Sequence, residues 1–207
     1  MKLLINEFIK DYKKKTTWLY FLLSFGIILL NSYFAKRQFE DGVDAVKILS
    51  GITVVAAATA TIFSLIMLAN NLSQEYSKGT IKFLYTKPKS RSAILTAKII
   101  LAFINYIIFL VVGTVFDFVT KNYVFFKNKV GLNHLNDTIT EGYFGRTVAK
   151  QIIITNLADL AVYIFFVAMV VLVCVVFKTQ ILSLVLVMLS LLGTGLIQSL
   201  TIFAVSK

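Results

Sequence analysis

Apolar and polar positions in this chain are sorted into long blocks. Five apolar blocks, at about residues 17–35, 48–72, 99–119, 152–177 and 181–205, are each near the roughly 20 residues that a helix needs to cross a bilayer. Ahead of the first block, MKLLINEFIKDYKKK has a finer period. Leu4, Ile5, Phe8, Ile9 and Tyr12 recur at helical spacing, and Lys2, Asn6, Glu7, Lys10, Asp11 and Lys13 fill the other side. This predicts an amphipathic helix over residues 1–15, lying in the headgroup region. The pattern as a whole predicts an all-α fold, a polytopic helical bundle with five spans. Residues 16–207 form its transmembrane domain. The first apolar run outlasts a signal h-region and no small-residue cleavage pattern follows it, so it reads as a retained helix.

Two blocks carry small residues four apart or nearly so. Ala56 and Ala60, Ala57 and Thr61, and Ala60 and Ser64 do this in the second; Ser190, Gly193, Thr194, Gly195 and Ser199 give the fifth a comparable face. Such faces let helix backbones approach closely in lipid. Trp18, Tyr20, Tyr33 and Phe34 stand near the ends of the first block, where aromatics favour the headgroup boundary.

Composition agrees with lipid as the solvent. The 207 residues are 58% hydrophobic and only 15% charged, with a mean hydropathy of +0.83. The net charge of +11 reads as topogenic, since no basic-aromatic module for nucleic acid is present. The tail of residues 1–15 has five basic and two acidic residues, whereas residues 36–47 have three of each. That difference places the N-terminus in the cytoplasm of a multi-pass cell-membrane protein. Alternation then puts twelve basic residues inside and nine outside, five of the nine in the long external loop 120–151. That loop, with Tyr123, Phe125, Phe126, Tyr143 and Phe144, reads as an interfacial element.

Bond chemistry is missing from the sequence. There is no Gly-Lys dipeptide, hence no phosphate-binding loop of the Gly-x-x-x-x-Gly-Lys type. Cys174 stands alone, which excludes an internal disulfide and a multi-cysteine metal site, and His134 is the sole histidine. The expectation is a non-enzyme with no catalytic residues, no metal and no cofactor of its own. Asp117 and Asp159 read as lying near the external ends of their spans. There they reach the interface or pair with Lys121, Arg146 or Lys150; the glycine-rich setting of an intramembrane aspartyl protease is missing. Asn70, Asn71, Asn105 and Tyr106 are the polar residues that qualify as candidate pathway contacts.

The densest information lies in the loop 73–98. From Gln74 it reads QEYSKGTIKFLYTKPKSRSAILTAK, with six basic residues and one acidic. Gly79 can break the second helix, Thr80 can cap a short new one, and Pro88 disfavours helix at Lys87. Ser90 can then cap the third span. The stub between them carries Ile81, Leu84 and Tyr85 on one face with Phe83 beside it, a knob for a partner's groove.

The pattern Glu75-x-x-x-Gly79-Thr80-x-Lys82-x-Leu84, followed by Pro88-x-Ser90-Arg91-x-x-Ile94-Leu95-x-x-Lys98, resembles the first cytoplasmic loop of ABC-2-type permeases, the membrane subunits of bacterial ABC exporters. The order of parts is similar too. The resemblance implies a six-span half-transporter, whereas five spans are found. It implies a second permease copy or similar subunit, and a separate cytoplasmic ATPase that holds ATP and Mg. It also implies an ATPase-coupling role for Glu75, Gly79, Thr80, Ile81, Phe83, Leu84, Tyr85, Pro88 and Arg91. Small permeases of this kind resemble exporters of amphipathic peptides; drugs, sodium and lipid-linked glycans are the other substrate classes. The alternative is a non-ABC membrane scaffold or small channel that recruits a cytoplasmic partner.

Overall fold

The computed structural model describes residues 2–38, 44–77, 91–139, 145–177 and 185. Helix dominates them and no strand occurs among them, beyond one antiparallel bridge between Thr138 and Thr147. The helices are α1 (Lys2–Tyr12), α2 (Lys15–Gln38), α3 (Ala45–Ser50), α4 (Ile52–Ser77), α5 (Arg91–Val119) and α6 (Val148–Phe177). A π-helical turn, Thr120–Phe125, extends α5, and a 3-10 turn, Leu132–Asn136, follows. Four helical stretches are long and apolar enough to cross a membrane: Lys15–Gln38, Ala45–Ser73, Ala93–Phe125 and Val148–Val176. They correspond to the first four predicted blocks. The fifth block, apart from Val185, lies outside the described residues.

Central and peripheral spans are told apart by burial. Two thirds (67%) of the most apolar stretch of α3–α4 is buried, against 17% for α2. The small residues of α4 explain its place. Ala56, Ala57 and Ala60 are fully or almost fully buried, and Gly113 of α5 comes so close that an added Cβ would sit 3.3 Å from the Ala56 Cβ. The close approach read from the four-residue spacing is therefore made with α5. Around it, Phe21 stacks on Phe109 at 4.1 Å and Tyr20 on Phe63 at 5.7 Å, bringing α2 onto the α4–α5 pair. The α6 helix completes the core with Tyr163, Phe166, Val167 and Val170.

Several boundaries differ from the sequence expectation, and each has a local cause. The second span starts earlier and is broken at Gly51, which terminates α3 after Asp44 has capped it through a 3.2 Å bond from the Lys47 N–H. The third span runs on past Val119 into the π turn. Lys121 can stay in the helix there because its ammonium lies 2.7 Å from the Asp117 carboxylate one turn back. The loop after it is partly folded. Phe126, Val130, Ile139 and Val148 close over Ile48, Leu49 and Ile52, making a small second core that caps this end of the bundle. Lys127 and Asn128 turn the chain there with positive φ of 47° and 63°.

Candidate functional site

At the opposite end of the bundle, α1 folds across the ends of α4 and α5. The turn into α2 is stitched by its own residues: the Thr17 hydroxyl donates to the Asp11 carbonyl at 2.6 Å and the Trp18 indole N–H to the Tyr12 carbonyl at 3.3 Å. On α1, Ile5 and Ile9 are exposed, while the face that bears Glu7 and Asp11 is turned to the bundle. In lipid this is the stable arrangement, because apolar side chains have a solvent outside and charges find partners inside.

Those partners form a polar cluster. Lys14 donates to Asp11 at 3.0 Å and to the Asn71 amide oxygen at 2.6 Å, and the Asn71 amide N–H donates to the second Asp11 oxygen at 2.6 Å. Lys98 donates to the Asn71 backbone carbonyl at 3.0 Å and its ammonium lies 3.6 Å from Glu7. Asp11 and Lys98 are only 1% and 2% exposed. Two carboxylates and two ammoniums thus balance in a nearly dry setting, where an uncompensated charge would be very costly. Beside them the Asn70 amide donates to the Tyr20 hydroxyl at 3.0 Å. A polar cavity of about 20 Å³ lined by Asp11, Lys14, Thr17, Tyr20, Asn70 and Asn71 has room for a single water and not for a substrate. Tyr12, half-buried beside Asp11, has its phenol pushed up to about 12, first by burial and then by that carboxylate. Near the same end, the Ser73 hydroxyl and the Cys174 thiol meet at 3.8 Å and tie α6 to α4.

Of the residues singled out from sequence, Glu75 falls in the last turn of α4 and Arg91 begins α5, with nothing described of either side chain. Gly79, Thr80, Ile81, Phe83, Leu84, Tyr85 and Pro88 lie outside the described residues. The four candidate pathway residues separate into two groups. Asn70 and Asn71 belong to the cluster under α1. Asn105 and Tyr106 lie in the bundle interior, each 1% exposed, and the Asn105 amide oxygen and Tyr106 hydroxyl have no hydrogen-bond partner among the described residues. Tyr106 stacks on Tyr163 at 4.3 Å, and Tyr163 donates to the Ala102 carbonyl at 2.9 Å.

Sequence reasoning passed over Asp11, Lys14 and Glu7 as ordinary polar-face residues and took Lys98 as part of the loop. One signal was available: two acidic residues four apart on the polar face of an otherwise basic helix. Asp117 pairs with Lys121, as one of the expected alternatives had it, and also accepts from the Ser32 hydroxyl at 3.0 Å. Asp159 was expected near the external end of its span. It stands eleven residues into α6, about 16 Å along the axis from Val148.

The polar clasp joins two helix ends, and the chain between them is basic by sequence, with Lys78, Lys82, Lys87 and Lys89. The sequence family described as ABC-2 family transporter protein matches residues 3–194. The chain belongs to that family. Its members are membrane transport subunits and not themselves ATPases, so membership makes this chain a permease of an ABC transporter and implies an ATPase partner. No curated protein and no solved structure matches the chain.

Proposed function

We propose that this ABC-2 permease is the membrane-spanning half of an ATP-driven exporter, with its N-terminus and the 73–98 loop in the cytoplasm. The cytoplasmic ATPase subunits grip the stub around Phe83 and Leu84. Two copies of the permease, or one copy with a similar subunit, enclose the pathway. Nucleotide binding draws the ATPases together and pulls on the stub, and the bundle rocks in response. Glu75, Gly79, Thr80, Ile81, Tyr85, Pro88 and Arg91 form or aim the stub.

The observation that carries this reading is the clasp itself. Asn71 and Lys98 stand on either side of residues 78–90, six residues before the end of α4 and seven after the start of α5. Both are bound to α1 or to each other through the cluster just described. A pull on the intervening loop therefore reaches α4, α5 and α1 as one body. The cargo in this reading is an amphipathic peptide, which suits a small permease with largely aliphatic spans.

The coupling role is tested by capture of the ABC ATPase that co-purifies with the chain from its native membrane. With Phe83→Asp and Leu84→Asp combined, capture falls at least tenfold while the permease purifies as before. Capture at wild-type affinity would remove the coupling assignment. Export is tested in proteoliposomes of the complex, where cationic amphipathic peptides stimulate ATP hydrolysis and accumulate across the membrane; sodium gradients and hydrophobic dyes leave the rate unchanged.

A further inference from the structure

We propose that Asp159 is a recognition point within the membrane for a basic organic cation, an ammonium or guanidinium group. The claim that this cation is cargo rests on the export reading above; the claim that it binds does not.

Asp159 and Asp117 invite comparison. Asp117 is satisfied by Lys121 at 2.7 Å and Ser32 at 3.0 Å. No hydrogen bond or ion pair reaches Asp159 among the described residues, although it lies well inside an apolar stretch that runs from Val148 to Val176. Ionisable groups at such depth mark binding sites and ion paths more often than they mark packing. The residue is half-buried, so one side of it is open to an approaching group.

Other polar groups share its helix. Gln151, Thr155, Asp159 and Tyr163 are spaced four apart and share a face of α6. Tyr163, one turn from Asp159, carries Tyr106 of α5 stacked against it at 4.3 Å. Five buried polar atoms on these two helices lack partners among the described residues: the amide oxygens of Gln151, Asn156 and Asn105 and the hydroxyls of Tyr106 and Thr114. The Asn156 amide gives one of its two N–H bonds to the Ile152 carbonyl at 2.8 Å, and its oxygen is open to a donor. The Asp159 carboxylate repels anions and offers nothing to an apolar group, and the open amide oxygens of α6 can accept further N–H bonds. Together they fit a donor-rich cation, since an ammonium carries three N–H bonds and a guanidinium five. A metal ion fits poorly, because no group of three His, Cys, Asp or Glu occurs among the described residues.

The test uses the full chain in nanodiscs with dodecylammonium as the probe and dodecanol as its neutral match. Dicyclohexylcarbodiimide, which modifies membrane-embedded carboxyls, labels Asp159, and dodecylammonium slows the labelling at least tenfold while dodecanol does not. Bound dodecylammonium falls at least tenfold in Asp159→Asn and is kept within threefold in Asp159→Glu. Equal protection by dodecanol, or unchanged binding in Asp159→Asn, overturns the site. Because the labelling is read on the wild-type chain, it decides the matter even where the asparagine variant does not fold. Reconstituted with its ATPase, the complex is stimulated by dodecylammonium at concentrations that protect Asp159. Protection without stimulation overturns the cargo role alone, and ATPase capture kept at wild-type affinity by the Phe83→Asp, Leu84→Asp variant overturns the coupling reading while leaving the binding result standing.

Discussion

The two ends of this bundle bury charge in different ways. At the cap end, Asp117 and Lys121 are a single turn apart on one helix, and their 2.7 Å contact needs no other element beyond the supporting Ser32 hydroxyl. At the α1 end, Lys14 and Asp11 also pair locally, three residues apart, but each is held as well by Asn71, 57 and 60 positions away. Lys98 of α5 reaches both Glu7 and the Asn71 carbonyl, so three elements must be in place before the cluster is complete. The local pair lets a helix run longer than its apolar sequence permits. The distributed cluster does something a local pair cannot: it makes α1, α4 and α5 move together or not at all.

The comparison breaks first at Asp11. Asp11→Ala strands Lys14 and an Asn71 N–H in a buried setting, and destabilisation by about 3–5 kcal/mol is expected. Unfolding in mixed micelles followed by tryptophan fluorescence measures it. A value under 1 kcal/mol would show the cluster to be wetter than its burial indicates. Next in size is Gly113→Ala. Its new methyl meets Ala56 at 3.3 Å and the Ile28 Cδ1 at 3.4 Å, so the α4–α5 contact must open, at about 1–3 kcal/mol by the same assay.

The local pair is expected to be dispensable. Asp117→Leu combined with Lys121→Met removes both charges at once and leaves stability within about 1 kcal/mol of wild type, since an isolated buried ion pair is often no better than apolar packing. The parallel double change, Asp11→Leu with Lys14→Met, is not tolerated in this way. It leaves Asn71 with neither its acceptor nor its donor.

The smallest expected effect is a titration. Tyr12 ionises near 12 in the folded chain against 10.0 for a free phenol, so absorbance at 295 nm, taken as the difference between wild type and Tyr12→Phe, shows a transition near 12. Between those two values the unfolded chain has lost the proton that the folded chain keeps. The tyrosine's contribution to stability is therefore intact below pH 10 and declines as pH rises toward 12.

Much of this was legible because membrane spans are written in long blocks. The four described spans, the amphipathic α1 and the small-residue face of α4 follow from period and length alone. The ends of the elements were less legible. Lys121 looked like a stop signal, and only its pairing with Asp117 lets the helix continue through it. The cluster was hidden for a different reason. Asp11, Asn71 and Lys98 belong to three separate blocks, and no periodicity within a block reports which block ends meet. The start of α6 was missed for a local reason: the sequence boundary fell at Ile152, whereas Val148, held by the cap core, begins the helix a turn earlier.

The central claim is that α1 and the ends of α4 and α5 form one body that an ATPase moves through the loop between them. Spin labels at Lys10→Cys on α1 and Ala93→Cys on α5, in the complex reconstituted with its ATPase, read this directly by pulsed dipolar spectroscopy. On going from nucleotide-free to ATP-bound, the distance within one permease stays constant to within about 2 Å, while the Ala93–Ala93 distance between copies shifts by more. If α1 instead separates from α5 when ATP binds, the clasp is a gate and not a coupling, and the account is wrong.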